Sequence, residues 1–565
     1  MFIGIDVGGT YTDAVLTDGK KIIGKKKFLT RHDDLLSSLL GALDAVLAGQ
    51  DTARICRVVL STTLVTNIIA EKKYPPVALI LAPGPGLNPA EYRYDTLTKV
   101  VAGAVDYRGR EIVPVNPAEI KGAGQEIKNQ NYDRAAVVGK FSSRNNKQEI
   151  FIKDTLAQAF PDLQVEMGHQ VAGQLNYPRR IATTMLNAAT KDVFAGFVRS
   201  VQDSLQARNI TAPVFILKAD GGTIPLNSAR QAPVETIFSG PAASTMGALC
   251  LSPRDQSSVV VDIGGTTTDL ALILCGEPLL ASKGARVQEY LTHVRSFAVK
   301  SVPLGGDSRV IVCEGKVEIL PERSGRPYCW GGAGATPTDA LRYLGQVDVG
   351  DQKRAAEIMA QVARETGMTP GEAAEMIVEK ASLIIVRAIE DVFREWEEEP
   401  AYRVWQITRN VKFRPDNIVG VGGAANGLIP EVARLLGCRA IIPEHAEVAN
   451  ALGAAVARPT VTVNLRIDTE QGYYATAEDG STGAVPTGGS FTEAQAVRLA
   501  EEKLYDLAEK MRVREFVERI EVVRSEVFNL VRGWTAAGKI FDINLQTPRD
   551  ILCYLGKGES ADEEK

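Results

Sequence analysis

The sequence predicts an α/β protein in which one structural theme occurs twice, followed by a small α+β segment. Three observations carry this reading. Apolar runs of strand length alternate with amphipathic runs of helix length along most of the 565 residues. The octet Asp6-Val-Gly-Gly-Thr-Tyr-Thr-Asp13 returns 256 residues later as Asp262-Ile-Gly-Gly-Thr-Thr-Thr-Asp269, with six of eight positions identical. Beyond Pro459 the pattern changes to shorter strands around one capped helix.

Apolar Phe2–Ile5 and Val259–Val261 lead into the two octets, and Ala14–Leu16 and Leu270–Leu274 lead out, so each octet reads as the turn of a β-hairpin. Asp33–Ala48 reads as a helix, and Val77–Ala82 and Ala135–Phe141 as strands. The Pro- and Gly-rich stretch from Pro83 to Pro117 reads as a boundary or a substrate-side insertion. Ile181–Leu205 is a long helix, and Val214–Leu217 a strand ending at Asp220-Gly-Gly222. Thr369 as N-cap, Pro370 at the first helical position and Glu372 at the third start a helix that continues to Glu399. An apolar strand feeds Gly420-Val-Gly-Gly-Ala-Ala-Asn-Gly427, Leu428–Leu436 follows as a helix, and Val448–Ala457 closes the second half. In the last segment, Val461–Ile467, Glu521–Leu530 and Lys539–Leu545 read as strands. Gly480–Ser490 reads as a linker, and Phe491–Met511 as a helix capped by Thr492 and Gln495. Glu559–Lys565 is a charged, frayed tail.

Composition excludes several function classes. Net charge is −5 without a basic cluster, which argues against nucleic-acid or anionic-membrane binding. No stretch approaches the roughly 20 apolar residues of a membrane span, and the first residues lack the basic and apolar regions of a secretory signal, so a cytoplasmic protein is expected. Seven scattered cysteines without C-x-x-C spacing, and only four histidines, give no zinc pattern.

The repeated octet carries the chemistry. Either copy alone could be an ordinary Asp-Gly-Gly turn; its recurrence after an apolar strand favours phosphate binding. Glycine lets backbone N–H groups approach an anion, threonine hydroxyls add donors, and an Asp closing the incoming strand can hold Mg²⁺. Gly420, Gly422 and Ala425 also fit the dinucleotide pattern G-x-G-x-x-A, with Glu444 about 20 residues on, but beside two phosphate hairpins the simpler role is a loop against adenosine. No G-x-x-x-x-G-K-[ST] pattern exists. Asp220 reads as a general base, a partner of Mg²⁺ or a plain turn residue. Asp13 and Asp269 read as braces of their hairpins, and Asp307 as a possible nucleotide contact. Arg179 and Arg180 read as surface residues or anion ligands, Asn67 as a carbonyl-orienting or helix-start residue, and Cys329 as structural.

The two hairpins and the late glycine loop resemble the acetate kinase/sugar kinase/Hsp70/actin nucleotide-binding fold, built from duplicated ribonuclease H-like halves. Thr62-Thr-Leu-Val-Thr-Asn67, Asp220-Gly-Gly222, Ser239-Gly-Pro-Ala-Ala243, Gly325-Arg-Pro-Tyr-Cys329 and Pro337-Thr-Asp-Ala340 narrow the resemblance to the hydantoinase A/5-oxoprolinase family, from about residue 2 to about residue 458. The resemblance implies actin-like halves at 1–205 and 206–458, the first carrying an insertion, with a small α+β domain at 459–565. It implies ATP and Mg²⁺, and phosphorylation of an amide or carbonyl oxygen of a small cyclic substrate to activate it for hydrolysis. It also implies a B-type partner subunit or a homodimer. Carried residue by residue, Asp6 and Asp262 are the metal and catalytic carboxylates, with Asp220 as a further catalytic residue. Gly8, Gly9, Thr10 and Thr12 form one phosphate loop, and Gly264, Gly265, Thr266, Thr267 and Thr268 the other. Gly305, Gly306, Gly422, Gly423 and Asn426 complete the nucleotide site. Leu304-Gly-Gly-Asp-Ser308 and Arg326-Pro-Tyr-Cys-Trp-Gly331 depart from the family pattern on the substrate side. A chaperone-like reactivating ATPase and a small-molecule kinase are the alternatives.

Overall fold

The computed structural model describes residues 1–31, 34–88, 94–253, 256–323, 325–398, 414–478 and 480–555. Two six-stranded sheets each contain one of the expected hairpins. In the first, Phe2–Val7 pairs antiparallel with Tyr11–Thr17, which pairs with Ile22–Leu29. On its other side Phe2–Val7 runs parallel to Arg57–Thr62, followed by Val214–Leu217 and Thr223–Pro225. In the second, Ser258–Ile263 pairs antiparallel with Thr268–Leu274 and parallel with Asn417–Val421, which is parallel to Arg439–Ile441. Val299–Val302 and Glu277–Pro278 pair with the far side of Thr268–Leu274. The hairpin registers are equivalent: Asp6 stands opposite Asp13, and Asp262 opposite Asp269.

Two short helices lie in the core shared by these sheets, with Ala449–Val456 against the first and Ser239–Leu251 against both. They meet backbone to backbone. A Cβ on Gly247 would lie 2.0 Å from the Ala449 carbonyl oxygen, and one on Gly453 would lie 2.0 Å from that of Ala243. A Cβ on Gly4 would lie 1.9 Å from the carbonyl oxygen of Ala451, so the first strand presses equally close. Side chains from both sheets, among them Val15, Leu217, Val260, Val419 and Val421, complete this layer.

A separate parallel sheet orders Gln164–Met167, Arg134–Gly139, Ala78–Ala82 and Thr98–Val100, packed by helices Pro117–Asn129 and Lys147–Ala159. The Pro- and Gly-rich stretch after Pro83 therefore supplies an edge strand of this sheet and a small hairpin, Ala104–Val105 with Glu111–Val113, and is not a boundary between units. Strands of two or three residues are too short for an alternating pattern to register. The long helix Tyr177–Gln206 packs this region onto the first sheet's core.

After Pro459, five antiparallel strands follow the order Thr482–Ala484, Tyr473–Thr476, Thr462–Asp468, Thr535–Gln546 and Glu521–Arg532. Helix Glu493–Lys510 buries Ala496, Ala500, Leu504 and Ala508 against them. Thr482–Ala484 lies inside the stretch that the sequence presents as a linker, which is thus part of the sheet. Capping boxes form at Thr369/Glu372 and Thr492/Gln495, and Asp34 caps Leu35–Leu47. The helix begun at Thr369 runs Pro370–Glu397; Asp33, Glu399 and the tail Glu559–Lys565 lie outside the described residues. Among the described residues no helix is long and apolar enough to cross a membrane.

The helix–helix contact leaves no room for a side chain at Gly453. Gly453→Ala is expected to lower unfolding free energy by about 1–3 kcal/mol through overpacking, read as a reduced denaturation midpoint. An unchanged midpoint would show that the helices can separate at no cost.

Candidate functional site

The two octets meet at their turns. Gly8 N–H donates to the Tyr11 carbonyl at 3.0 Å, and Gly264 N–H to the Thr267 carbonyl at 3.0 Å, so both turns close in the same way. A Cβ on Gly265 would lie 3.3 Å from the Thr10 hydroxyl of the opposite hairpin and 3.0 Å from Oδ2 of Asp307. Gly9 faces open space and is exposed, as are Gly264, Thr266 and Thr267. The structure therefore brings Gly8, Gly9, Thr10, Gly264, Gly265, Thr266 and Thr267 to one location.

Behind the turns stand the four octet carboxylates. Asn450, on the shared helix Ala449–Val456, donates from Nδ2 to Oδ2 of Asp262 at 3.1 Å and also bonds to Asp6. Burial pushes the Asp6 carboxyl up to about 7; the charges of Asp13 and Asp262 add to this, and hydrogen bonds from Ser61 and Asn450 oppose it. Burial, with the charge of Asp262, pushes Asp269 up to about 6. Burial also raises Asp262 and Asp13, the latter despite Lys27 Nζ at 2.9 Å from its Oδ2. Oδ1 of Asp6 and Oδ1 of Asp13 are buried without a hydrogen-bond partner. Crowded carboxylates with unused oxygens are the donor type a hard divalent cation takes, though among the described residues no group of three or more such side chains is placed to hold a metal ion.

Gly422 reaches the same place from the third glycine motif. Its φ of +89° is a left-handed conformation, and a Cβ there would lie 2.7 Å from Oδ1 of Asp262 and 2.5 Å from the Ile263 carbonyl oxygen. Gly423 faces open space, and Asn426 is exposed on the first turn of helix Ala425–Leu436. The strand after this helix, Arg439–Ile441, is the last of its sheet, which leaves no further strand on that side for a dinucleotide-binding unit.

Several expected site residues are placed otherwise. Thr12 and Thr268 are fully buried; Thr12 bonds the Thr30 hydroxyl at 3.0 Å, and Thr268 donates to the Leu304 carbonyl at 2.7 Å. Both hold their hairpins to neighbouring strands and loops. Gly305 and Gly306 are buried behind the second turn. Gly306 N–H donates to the Gly264 carbonyl at 2.9 Å, and a Cβ on Gly305 would lie 2.4 Å from the Gly265 carbonyl oxygen. They buttress the turn by close approach and leave no surface for a ligand. Asp307 beside them pairs with Arg323 at 2.7 Å, and burial lifts its carboxyl to about 6.

Asp220 is held in a cluster of opposite charges. It is buried at the junction with the last segment, where Arg549 Nε lies 3.1 Å from Oδ2, Lys218 Nζ 3.5 Å from the same oxygen, and Gly222 N–H donates to Oδ1 at 3.1 Å. Burial alone would raise this carboxyl; the two cations and the backbone bond hold it well below the ordinary range instead. A carboxylate so stabilised is a poor proton acceptor, which suits a clasp and not a general base. Arg180 is fully buried, donating to the carbonyls of Gly139, Lys140 and Gln174, so neither the surface nor the anion-ligand reading fits. Asn67 donates to Thr63 at 3.2 Å within helix Leu64–Ala70. Cys329 is buried, which pushes its thiol up to about 12, consistent with a structural role. The sequence reading missed Asn450, whose signal is a lone amide in the apolar run Val448–Ala457, and Lys27 and Thr30, which carry no local signal.

Comparison with known proteins adds three results. The family profile of hydantoinase/oxoprolinase matches residues 180–463, and that of the hydantoinase/oxoprolinase N-terminal region matches residues 2–160. The chain is 26% identical to caprolactamase subunit alpha of Pseudomonas jessenii over 484 residues, which cover 78% of this chain and 68% of that protein. It is 24% identical to the acetophenone carboxylase gamma subunit of Aromatoleum aromaticum over 436 residues, 66% of this chain and 58% of that one. A nucleotide-free acetone carboxylase structure shares the fold with a TM-score of 0.71 at 17% identity, covering 100% of this chain and 89% of that chain.

The raised carboxyls predict an inverted pH profile. At about 7 and about 6, Asp6 and Asp269 hold protons in the folded chain that the unfolded chain, with values near 3.8, has already released. Their contribution is complete below the unfolded value and is lost as pH rises through the folded values. The melting temperature of the ligand-free protein should therefore fall between about pH 4 and about pH 7, and Asp6→Asn should flatten that slope. A slope equally steep in the variant would remove Asp6 from the account.

Proposed function

The chain belongs to the hydantoinase/oxoprolinase family, and from that premise we propose that it uses ATP to activate a small cyclic amide or related carbonyl compound for hydrolysis. The observation that carries the proposal is the meeting of the two Gly-Gly-Thr turns above four crowded carboxylates. In this reading residues 1–205 and 206–458 are two actin-like halves and 459–565 a separate α+β domain. The aligned parts span 68% and 58% of the two relatives, so activity, substrate and partners are all proposed for this chain.

Exposed Gly9, Thr266 and Thr267 offer N–H and hydroxyl donors to the phosphates from two sides, and Gly423 and Asn426 form the rim against the adenosine. Asp6 and Asp262 would hold Mg²⁺. When bound, the ion supplies charge neutralisation between phosphate oxygens and the carboxylates. Phosphoryl transfer demands mainly positioning and electrostatics, which a rigid pair of turns provides. The amide or carbonyl oxygen of the substrate takes the γ-phosphoryl group and ADP is released. Water then adds to the activated carbon, the C–N bond breaks as the ring nitrogen takes a proton, and a second water hydrolyses the resulting acyl phosphate to carboxylate and phosphate. Two relatives are named as subunits, alpha and gamma, which supports a B-type partner subunit for this chain as well.

ADP release measured with lactams, hydantoins and 5-oxoproline, with and without a co-purified partner, tests the reading. At least one cyclic amide should raise turnover in proportion to ring-opened product. Turnover that responds only to an added protein, never to a small molecule, would replace the proposal with a reactivating ATPase. Asp262→Ala should reduce substrate-dependent turnover by about a hundredfold or more, the several kcal/mol a divalent ion supplies. Wild-type turnover in that variant would dismiss the carboxylate site.

A further inference from the structure

The outermost strand of the last sheet, Glu521–Arg532, is paired on one side only: Thr535–Gln546 takes its inner edge, and the sheet ends there. Twelve residues long, it contains no proline. Its apolar side chains are open to solvent, with Val522 54% exposed, Val523 46%, Val527 38% and Phe528 49%, and Trp534 stands fully exposed at the hairpin tip. Natural edge strands are blunted by shortness, proline, charges, bulges or a covering segment, because free backbone donors and acceptors invite another strand; this one carries charges and two bulges but no proline. Glu521 and Arg532 at its ends are ion-paired with Arg519 and Glu470, whereas Arg524 and Glu526 are both exposed and have no ion-pair partner among the described residues.

The order of residue types identifies the partner. Val522-Val523-Arg524-Ser525-Glu526-Val527-Phe528 is chemically palindromic about Ser525: two apolar residues and a cation on one side, an anion and two apolar residues on the other. In antiparallel pairing of two identical strands about a twofold axis through Ser525, Arg524 of each copy stands directly opposite Glu526 of the other. Directly opposite residues share a face of the sheet, so both ion pairs form together. Val522 and Val523, both exposed at a bulge, then cover Val527 and Phe528 of the second copy. A register centred on Phe528 would instead set Arg524 against Arg532 and repel. We propose that this edge is a homodimer interface, in which two copies of the chain join their terminal sheets into one continuous sheet through isologous strand pairing.

Charge reversal on the full chain tests it, with self-association measured by sedimentation equilibrium. The wild-type chain should form a concentration-dependent dimer. Arg524→Glu places like charges opposite each other twice, and so does Glu526→Arg; each single variant should weaken association at least about tenfold. The double variant R524E/E526R restores both pairs with the signs exchanged and should recover association to within about threefold of wild type. Neither residue touches the nucleotide cleft, so ATP affinity, unchanged in all three variants, reports that they are folded. A monomeric wild-type chain, single variants that still dimerise, or a double variant as weak as the singles would each overturn the proposal. The first of those outcomes would leave the edge to a different subunit.

Discussion

Three glycines set the spacing on which the rest of this fold is built. Gly247 and Gly453 let two helices touch backbone to backbone, and Gly4 lets the first strand press on the same helix. A methyl group at any of them would overlap a carbonyl oxygen. Because helix Ser239–Leu251 packs on strands of both sheets and Ala449–Val456 lies against the first, this contact helps fix how close the sheets approach. Their first hairpins leave the sheets in equivalent registers, and the turns consequently meet at Thr10 and Gly265. The shared helix also carries Asn450 to the two carboxylates that close the incoming strands. Packing, register and electrostatics at the cleft thus follow from one close approach.

The aspartates illustrate how environment divides one residue type into different roles. Asp6 and Asp262 share Asn450, and burial makes their ionised forms costly, a cost that an incoming cation removes. Asp13 is answered partly by Lys27, whose Nζ also donates to the Glu447 carbonyl at 2.9 Å and so ties the first hairpin to the approach of the shared helix. Asp220, equally buried, meets two cations and remains ionised. It joins the first sheet to the segment that follows residue 546, away from phosphate chemistry. The net charge of −5 gives the cleft no long-range attraction for a nucleotide, so binding there relies on local N–H donors and the cation.

Much of this was legible in the sequence because the repeat constrains both copies at once. The two hairpins, the third glycine loop and both capping boxes follow from residue type and spacing. What escaped has physical causes. Strands of two or three residues, such as Thr98–Val100 and Thr482–Ala484, owe their existence to neighbours distant in sequence, and no local periodicity marks them. Thr12 and Thr268 look like phosphate donors in a linear motif, but alternation along the strand turns them inward to Thr30 and Leu304. The glycines at 305 and 306 resemble a ligand loop and serve close backbone packing instead. Asp220 precedes two glycines as an active-site residue would; its partner Arg549 lies 329 positions away.

The position of the shared helix has a consequence for how the chain is made. Strand Phe2–Val7 is synthesised long before the helix that covers Gly4, Ala449–Val456. The first sheet must therefore wait with an apolar face uncovered while the intervening residues emerge. Contacts of such sequence separation form slowly and leave aggregation-prone intermediates. An amino-terminal fragment ending before residue 449 lacks the helix that completes its own core, so assembly of the first sheet waits for synthesis of residues 449–456.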